Sequence, residues 1–216
     1  HNYNRRRIFE DDTIKEEIMK VLNFGSLNID YVYKVKNFVT AGETVKSEEL
    51  VRKVGGKGLN QSVAMARAGL DVFHAGAVGE DGRFLTQFLE NDGVNTEKVN
   101  VSDIPTGHAI IQVDEKGENC ILLFGGANRS ISEGFADEVL NDFSQGDYLI
   151  LQNETNIVPY VMEKACEKGM KIVFNPSPIT QDMQNFPLKN VSLFVLNEVE
   201  GEALTGEKDE VKIIDK

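Results

Sequence analysis

The sequence is poor in the residues that metal centres and disulfide frameworks need. It holds two cysteines, Cys120 and Cys166, isolated from one another and without CxxC spacing. That excludes a thiolate zinc site and a disulfide scaffold, and it suits a reducing cytoplasm. Its three histidines, His1, His74 and His108, are scattered and form no ligand pattern. His74 lies inside an apolar run and is expected to be a satisfied core or interface histidine. No apolar stretch is long enough to span a bilayer, and no secretory signal pattern opens the chain. Positive charge is also scarce: 23 Lys and Arg stand against 35 Asp and Glu, for a net charge of -12. Such a surface repels phosphate, which argues against nucleic acid as a partner. A phosphate-bearing ligand must then be met by local N–H groups and a bridging cation.

Two phosphate-loop patterns are missing as well. A Walker A loop needs Ser or Thr after Gly-Lys, and here Gly58 follows Lys57. A dinucleotide fingerprint needs a glycine where Gln61 stands, which disfavours a nucleotide-dependent oxidoreductase. What the chain has instead is Val54-Gly55-Gly56-Lys57-Gly58-Leu59-Asn60-Gln61, with three glycines in four positions. Such a backbone takes positive φ and admits a ligand against the bare main chain. The run Ser62 to Ala68 favours helix, and Gly69 stands where a left-handed cap belongs. A glycine loop feeding a helix is expected to expose unpaired N–H groups to an anion or a polar ligand.

With 216 residues, 41% of them hydrophobic and 27% charged, the chain can bury a substantial core. Residues 1–18 are polar and charged, and a short helix is expected over Thr13 to Met19. Val21 to Gly25 is an apolar strand. At its exit, Asn28 and Asp30 stand two apart and so face the same way on an extended backbone. An amide beside a carboxylate suits adjacent sugar hydroxyls, although an Asx-rich turn has the same composition.

Segments 31–54 and 105–124 are β-prone without the continuous apolar character of a parallel core strand. They are expected to form a second, small antiparallel sheet. Phe84, Leu85, Phe88 and Leu89 mark the buried face of a helix that Gly93 stops. From Ser132 onward strands at Tyr148, Lys171 and Leu193 alternate with helices, which predicts an α/β fold with a parallel sheet covered on both faces. These strands run into Gln152-Asn153-Glu154, Asn175-Pro176 and Asn197-Glu198. In open α/β sheets the ligand crevice lies beyond such strand ends. Each of these polar residues singly also serves as a helix cap.

The run Gly55-Gly56-Lys57-Gly58-Leu59-Asn60-Gln61-Ser62, followed by Gly69 and Gly79, resembles the N-terminal signature of the ribokinase-like (PfkB) carbohydrate kinases, and its lysine is most similar to the ribokinase branch. The resemblance runs from about Met19 to the last residues, which implies an incomplete domain over residues 19–216 and an N-terminal extension over residues 1–18, expected to be a linker, a cloning remnant or the end of an upstream domain. It implies a parallel sheet flanked by helices, with segments 31–54 and 105–124 as a β lid that covers the sugar and makes a homodimer contact. It also implies an ATP-dependent kinase acting on a primary hydroxyl of D-ribose or a similar small sugar. Asn28, Asp30, Gly56, Lys57 and Asn60 match the sugar-binding positions, and Glu154 matches a carboxylate reaching the same sugar. Asn197 and Glu200 match an Asn-x-x-Glu motif in which Asn197 approaches the nucleotide phosphates and Glu200 holds hydrated Mg²⁺. That spacing also resembles a capping box. No aromatic stacking residue accompanies the sugar positions, which favours a polyol over a flat base.

Members of the family use a Gly-Ala-Gly-Asp segment that supplies the general base and an anion hole, and no such segment occurs here. Asp81 and Asp114 lie in turns and are poor substitutes. The site for an activating monovalent cation, K⁺, belongs to the same missing part. The chain as given is therefore expected to be inactive, a piece of a longer cytoplasmic enzyme whose C-terminal fold is absent. The alternative is a non-catalytic sugar-binding or dimerisation module.

Overall fold

The computed structural model describes residues 19–214 and Lys216, so the extension over residues 1–18 lies outside the described residues. Six parallel strands form the main sheet: β1 (Val21–Phe24), β4 (Val72–Gly79), β5 (Asn95–Ser102), β8 (Tyr148–Gln152), β9 (Lys171–Asn175) and β10 (Leu193–Phe194), in the order β10-β9-β8-β1-β4-β5. Side chains alternate across a strand, so each central strand feeds two cores. Leu22, Phe24, Leu149, Leu151, Ile172 and Phe174 pack with α3 (Glu133–Leu140) and α4 (Val158–Glu167). Val21, Val72 and Val78 pack with Leu59 and Val63 of α1 (Lys57–Arg67) and Leu85 and Leu89 of α2 (Arg83–Asn91). The doubly covered α/β sheet is the one the strand–helix rhythm predicts.

The second sheet has the order β3-β2-β6-β7, built from β2 (Asn28–Lys34), β3 (Glu49–Gly55), β6 (Gly107–Val113) and β7 (Asn119–Phe124). It is mixed where a purely antiparallel lid is expected. Its two outer pairs are antiparallel, but β2 and β6 at its centre run parallel. The physical reason is connectivity. β2 and β6 are joined through α1, β4, α2 and β5, and a crossover of that length returns a strand in the same direction. Asn28 also begins β2, where the sequence suggests a strand exit.

The chain closes with α5 (Glu198–Thr205) and the short α6 (Glu210–Ile214) beside β10. Leu193, Phe194 and Val195 there are exposed. No helix among the described residues is long and apolar enough to cross a membrane.

Candidate active site

The carboxyl ends of β1 and β8 meet the glycine loop between β3 and α1. Gly56 is the N-cap residue of α1 and holds φ at 97°, in the left-handed region where a side chain is strained. Gly58 is required for a different reason. A β-carbon on it would lie 2.4 Å from the Ser26 nitrogen and within 2.7 Å of Gly25 backbone atoms. The first turn of α1 thus rests directly on the chain leaving β1.

Glu154, two residues past β8, closes this junction. Its Oε1 accepts from Lys57 Nζ at 2.7 Å, and its Oε2 accepts from the Lys57 N–H at 2.9 Å and from Ser26 Oγ. Ser26 Oγ in turn accepts from the Gly58 N–H at 3.2 Å. The Leu59 N–H donates to the Ser26 carbonyl, and the Asn60 N–H to the Gly56 carbonyl, both at 3.0 Å. All four first-turn donors are therefore satisfied within the protein. This corrects the expectation of an open helix terminus: a carboxylate of the chain itself sits on the positive end of α1. A ligand here meets side chains and not a bare ring of N–H groups.

Asn28 and Asp30 share one face of β2, beside this junction. Asn28 is buried, with Oδ1 accepting from Asn128 Nδ2 at 2.8 Å. Asp30 is half-buried, and burial first, then the neighbouring charge of Glu154, raises its carboxyl above the ordinary value, with Lys53 opposing. A β-carbon on Gly55 would fall on the Asp30 carboxylate, so glycine there leaves it room. Asn60 lies one turn along α1 from Lys57, exposed and without a side-chain hydrogen bond among the described residues.

Beneath the loop runs a buried polar chain that sequence reasoning missed. Asn23 Nδ2 donates to the Gly58 carbonyl at 2.7 Å and to Ser62 Oγ at 2.8 Å, while Asn23 Oδ1 accepts from Gln152 Nε2 at 2.9 Å. Ser62 Oγ, which accepts from Asn23, also shares a hydrogen bond with His74 Nδ1 at 2.8 Å. Burial pushes the His74 imidazole down to about 4, which keeps it neutral near pH 7. His74 is a core histidine, as its apolar run suggests, although its Nε2 has no hydrogen-bond partner among the described residues. The chain pins the first turns of α1 to β1, β4 and β8. Ser26, at the exit of β1, and Asn128, the last residue of Gly125-Gly126-Ala127-Asn128, are not among the site candidates that the sequence offers.

Asn197 and Glu200 lie apart from this cluster, beyond the end of β10 at the sheet edge. They form the capping box that the spacing allows: Asn197 Oδ1 accepts from the Glu200 N–H at 2.9 Å, and Glu200 Oε2 from the Asn197 N–H at 3.1 Å. Both nevertheless sit at the same carboxyl end of the sheet as Ser26 and Glu154. Asp81 is occupied structurally, accepting from Thr106 Oγ1 at 2.7 Å and its N–H at 3.0 Å. No cluster of three metal-ligating side chains occurs among the described residues.

The model of the pfkB family carbohydrate kinases matches residues 19–216. The ribokinase of Haemophilus influenzae is 36% identical over 187 residues, which cover 84% of this chain and 61% of that protein. The crystal structure of ribokinase from Cryptococcus neoformans var. grubii serotype A in complex with ADP superposes with a TM-score of 0.76 at 34% identity, covering 91% of this chain and 65% of that one. The Arabidopsis thaliana ribokinase complexed with ribose and ATP gives 0.75 at 26%, covering 91% and 66%. The chain thus spans less than two thirds of the length of each of these relatives.

Proposed function

The chain belongs to the pfkB family carbohydrate kinases, and from that premise we propose that it is the N-terminal part of a cytoplasmic, ATP-dependent enzyme that phosphorylates a primary hydroxyl of D-ribose or a similar small sugar. The observation that carries this reading is the cluster at the glycine loop. There the Lys57–Glu154 ion pair stands beside Asn28 and Asp30, and together they offer ammonium, carboxylate and amide groups. Adjacent hydroxyls need donors and acceptors side by side, and this set supplies both. Phosphoryl transfer depends chiefly on positioning and on charge neutralisation. The proposed part of this chain in that reaction is positioning: it holds the sugar. A non-catalytic module is not favoured.

The nucleotide end is proposed to lie at Asn197 and Glu200. Glu200 commits one carboxylate oxygen to its capping box, and the other has no hydrogen bond among the described residues. A single carboxylate fits Mg²⁺, which retains waters and takes its remaining ligands from substrate phosphates. When bound, the ion neutralises charge on the transferring group.

In the full-length protein, ribose-dependent ADP release is the expected activity. Asp30→Ala should raise the apparent sugar constant by roughly tenfold or more, because a charge-assisted hydrogen bond is worth about 1.5–3 kcal/mol. Ribose kinetics unchanged in that variant would remove Asp30 from the site. Asp30→Asn adds a second sign. A carboxyl raised by burial contributes stability only while protonated, and that contribution is lost as pH rises through the folded-state value. At pH 7 the sugar-free Asp30→Asn protein is therefore expected to melt higher than the parent while binding sugar less well.

The lid carries the proposed homodimer contact. Ile121, Leu122, Leu123 and Phe124 of β7 are all exposed, as is Leu50 of β3. A small sheet is marginal in water, and such a patch is best covered by its own copy about a two-fold axis. Light scattering at micromolar concentration should give a mass of two chains, and Leu122→Lys should halve it. A parent protein that is strictly monomeric would refute the contact.

A further inference from the structure

We infer that Asn128 is a positioning residue that decides which end of the Asn28 amide is left free for the proposed sugar site, and so makes that position a hydrogen-bond donor. The inference deepens the proposed sugar-site reading and rests on it. A carboxamide is nearly symmetric in shape, so its neighbours decide whether oxygen or nitrogen points into a site.

Here the deciding neighbour is itself fixed by main chain. The Leu27 N–H donates to Asn128 Oδ1 at 3.0 Å, and Asn128 Nδ2 donates to the Leu27 carbonyl at 3.1 Å. A backbone N–H and C=O cannot exchange roles, so Asn128 has one orientation only. Its second N–H then meets Asn28 Oδ1 at 2.8 Å, with both residues buried. Turning Asn28 over would bring two NH₂ groups face to face inside the protein, which is costly where neither can reach water.

Asn28 is therefore held with its oxygen inward. Its Nδ2 makes no hydrogen bond among the described residues and is left as the free end. Two residues on, along the same face of β2, Asp30 offers carboxylate oxygens. A donor followed by an acceptor matches a hydroxyl that accepts from Asn28 and donates to Asp30. With the amide reversed, the strand would present acceptors only. The hydroxyl can donate its proton to just one of them and would leave the other unpaired.

Gly107 makes room for this arrangement. It pairs with Asn28 across the β2–β6 ladder, and a β-carbon on it would lie 2.2 Å from Asn128 Nδ2 and 2.5 Å from Asn28 Oδ1. The turn that carries Asn128 also reaches the chain beyond β8. The Asn128 carbonyl accepts from the Asn156 N–H at 3.2 Å, and Arg129 Nη1 donates to the Thr155 carbonyl at 2.9 Å. One turn after the lid thus ties Asn28 to the segment that bears Glu154.

The test uses the full-length protein and the pair Asn128→Asp and Asn28→Ala. The substituted carboxylate at 128 still accepts from the Leu27 N–H, but it presents an acceptor to Asn28 and should turn its amide over. Asn128→Asp is expected to raise the ribose KM by roughly tenfold or more, because buried polar groups left mismatched are what a hydrogen-bonding site discriminates by. The ATP KM and kcat should stay within about twofold, the pattern of lost ground-state sugar binding. In the Asn28→Ala background the same change should add nothing further to the ribose KM. An unchanged ribose KM, a full additive effect in the double variant, or an equal rise in the ATP KM would each overturn the positioning role.

A variant-free readout guards against a substitution that fails to fold. In the ¹⁵N-labelled parent, the Asn28 side-chain NH₂ resonances should shift on saturation with ribose while those of Asn128 stay in place. An Asn28 signal indifferent to bound ribose would overturn the inference even so. A parent protein that neither binds nor phosphorylates any pentose would instead sink the sugar-kinase reading and take this inference with it.

Discussion

Gly58→Ala is expected to abolish sugar binding and to destabilise the protein by about 3 kcal/mol, the upper end of what overpacking costs. Helix propensity alone gives the opposite sign, since alanine within a helix is favoured over glycine by about 1 kcal/mol. The contacts decide the matter. The added carbon would meet the Ser26 nitrogen at 2.4 Å and the Gly25 carbonyl carbon and Cα at 2.6 and 2.7 Å. These are main-chain atoms at the exit of the central strand, so no flexible side chain can give way. Relief requires lifting the first turn of α1, and that breaks the bonds from Asn23 to the Gly58 carbonyl and from the Gly58 and Leu59 N–H groups to Ser26. Urea unfolding and ribose titration of the variant check both parts. A variant as stable as its parent would mean that the helix does not rest on Ser26 as closely as described.

Glu154→Gln is the second large effect. We expect sugar affinity to fall by about a hundredfold, near 2.7 kcal/mol, with a loss of about 2 kcal/mol in stability. Removing one partner of a buried ion pair costs about 3–5 kcal/mol. The discount reflects exposure: the Glu154 side chain is 8% exposed but that of Lys57 is 37%, so the stranded ammonium can recover water. Glutamine keeps the shape but one acceptor oxygen only. Its NH₂ must face either Lys57 Nζ or the donors from Ser26 and the Lys57 N–H, and either way a donor meets a donor. Thermal melts and ribose binding measured together test this. Retained affinity with lost stability would reduce Glu154 to a cap on α1.

The readable parts of the chain were those whose signal is local. The apolar strand Val21 to Phe24 and the face of α2 marked by Leu85 and Leu89, with Gly93 beyond it, stand where periodicity and glycine put them. Strand β5 was missed because Asn95-Thr96-Glu97-Lys98 shows no apolar run. It is a sheet edge, and edges are built from polar side chains. The parallel β2–β6 pair was missed because nothing within either segment records which distant strand lies beside it.

The site divides in the same way. Its glycine loop announces itself by composition, and Asn28 with Asp30 by their spacing. The occupancy of the α1 terminus by Glu154 joins residues almost a hundred positions apart, and no periodicity spans that distance. Ser26 and Asn128 are ordinary polar residues until the chain folds around them. For Asn197 and Glu200, the capping box and the proposed nucleotide role coincide in one short motif, so pattern alone cannot separate them.

The parallel centre of the lid also governs where the molecule tolerates change. Because β2 and β6 are joined through the body and not by a turn, the alignment of Asn28 with Gly107 is fixed by the elements between them. The tips at residues 35–48 and 114–118 only connect outer strands to this pair. Lengthening a surface connection costs little, each doubling being worth about 0.6 kcal/mol. Insertions or epitope grafts at either tip can therefore alter the reach and outer surface of the lid while leaving the register of β2 against β6 untouched.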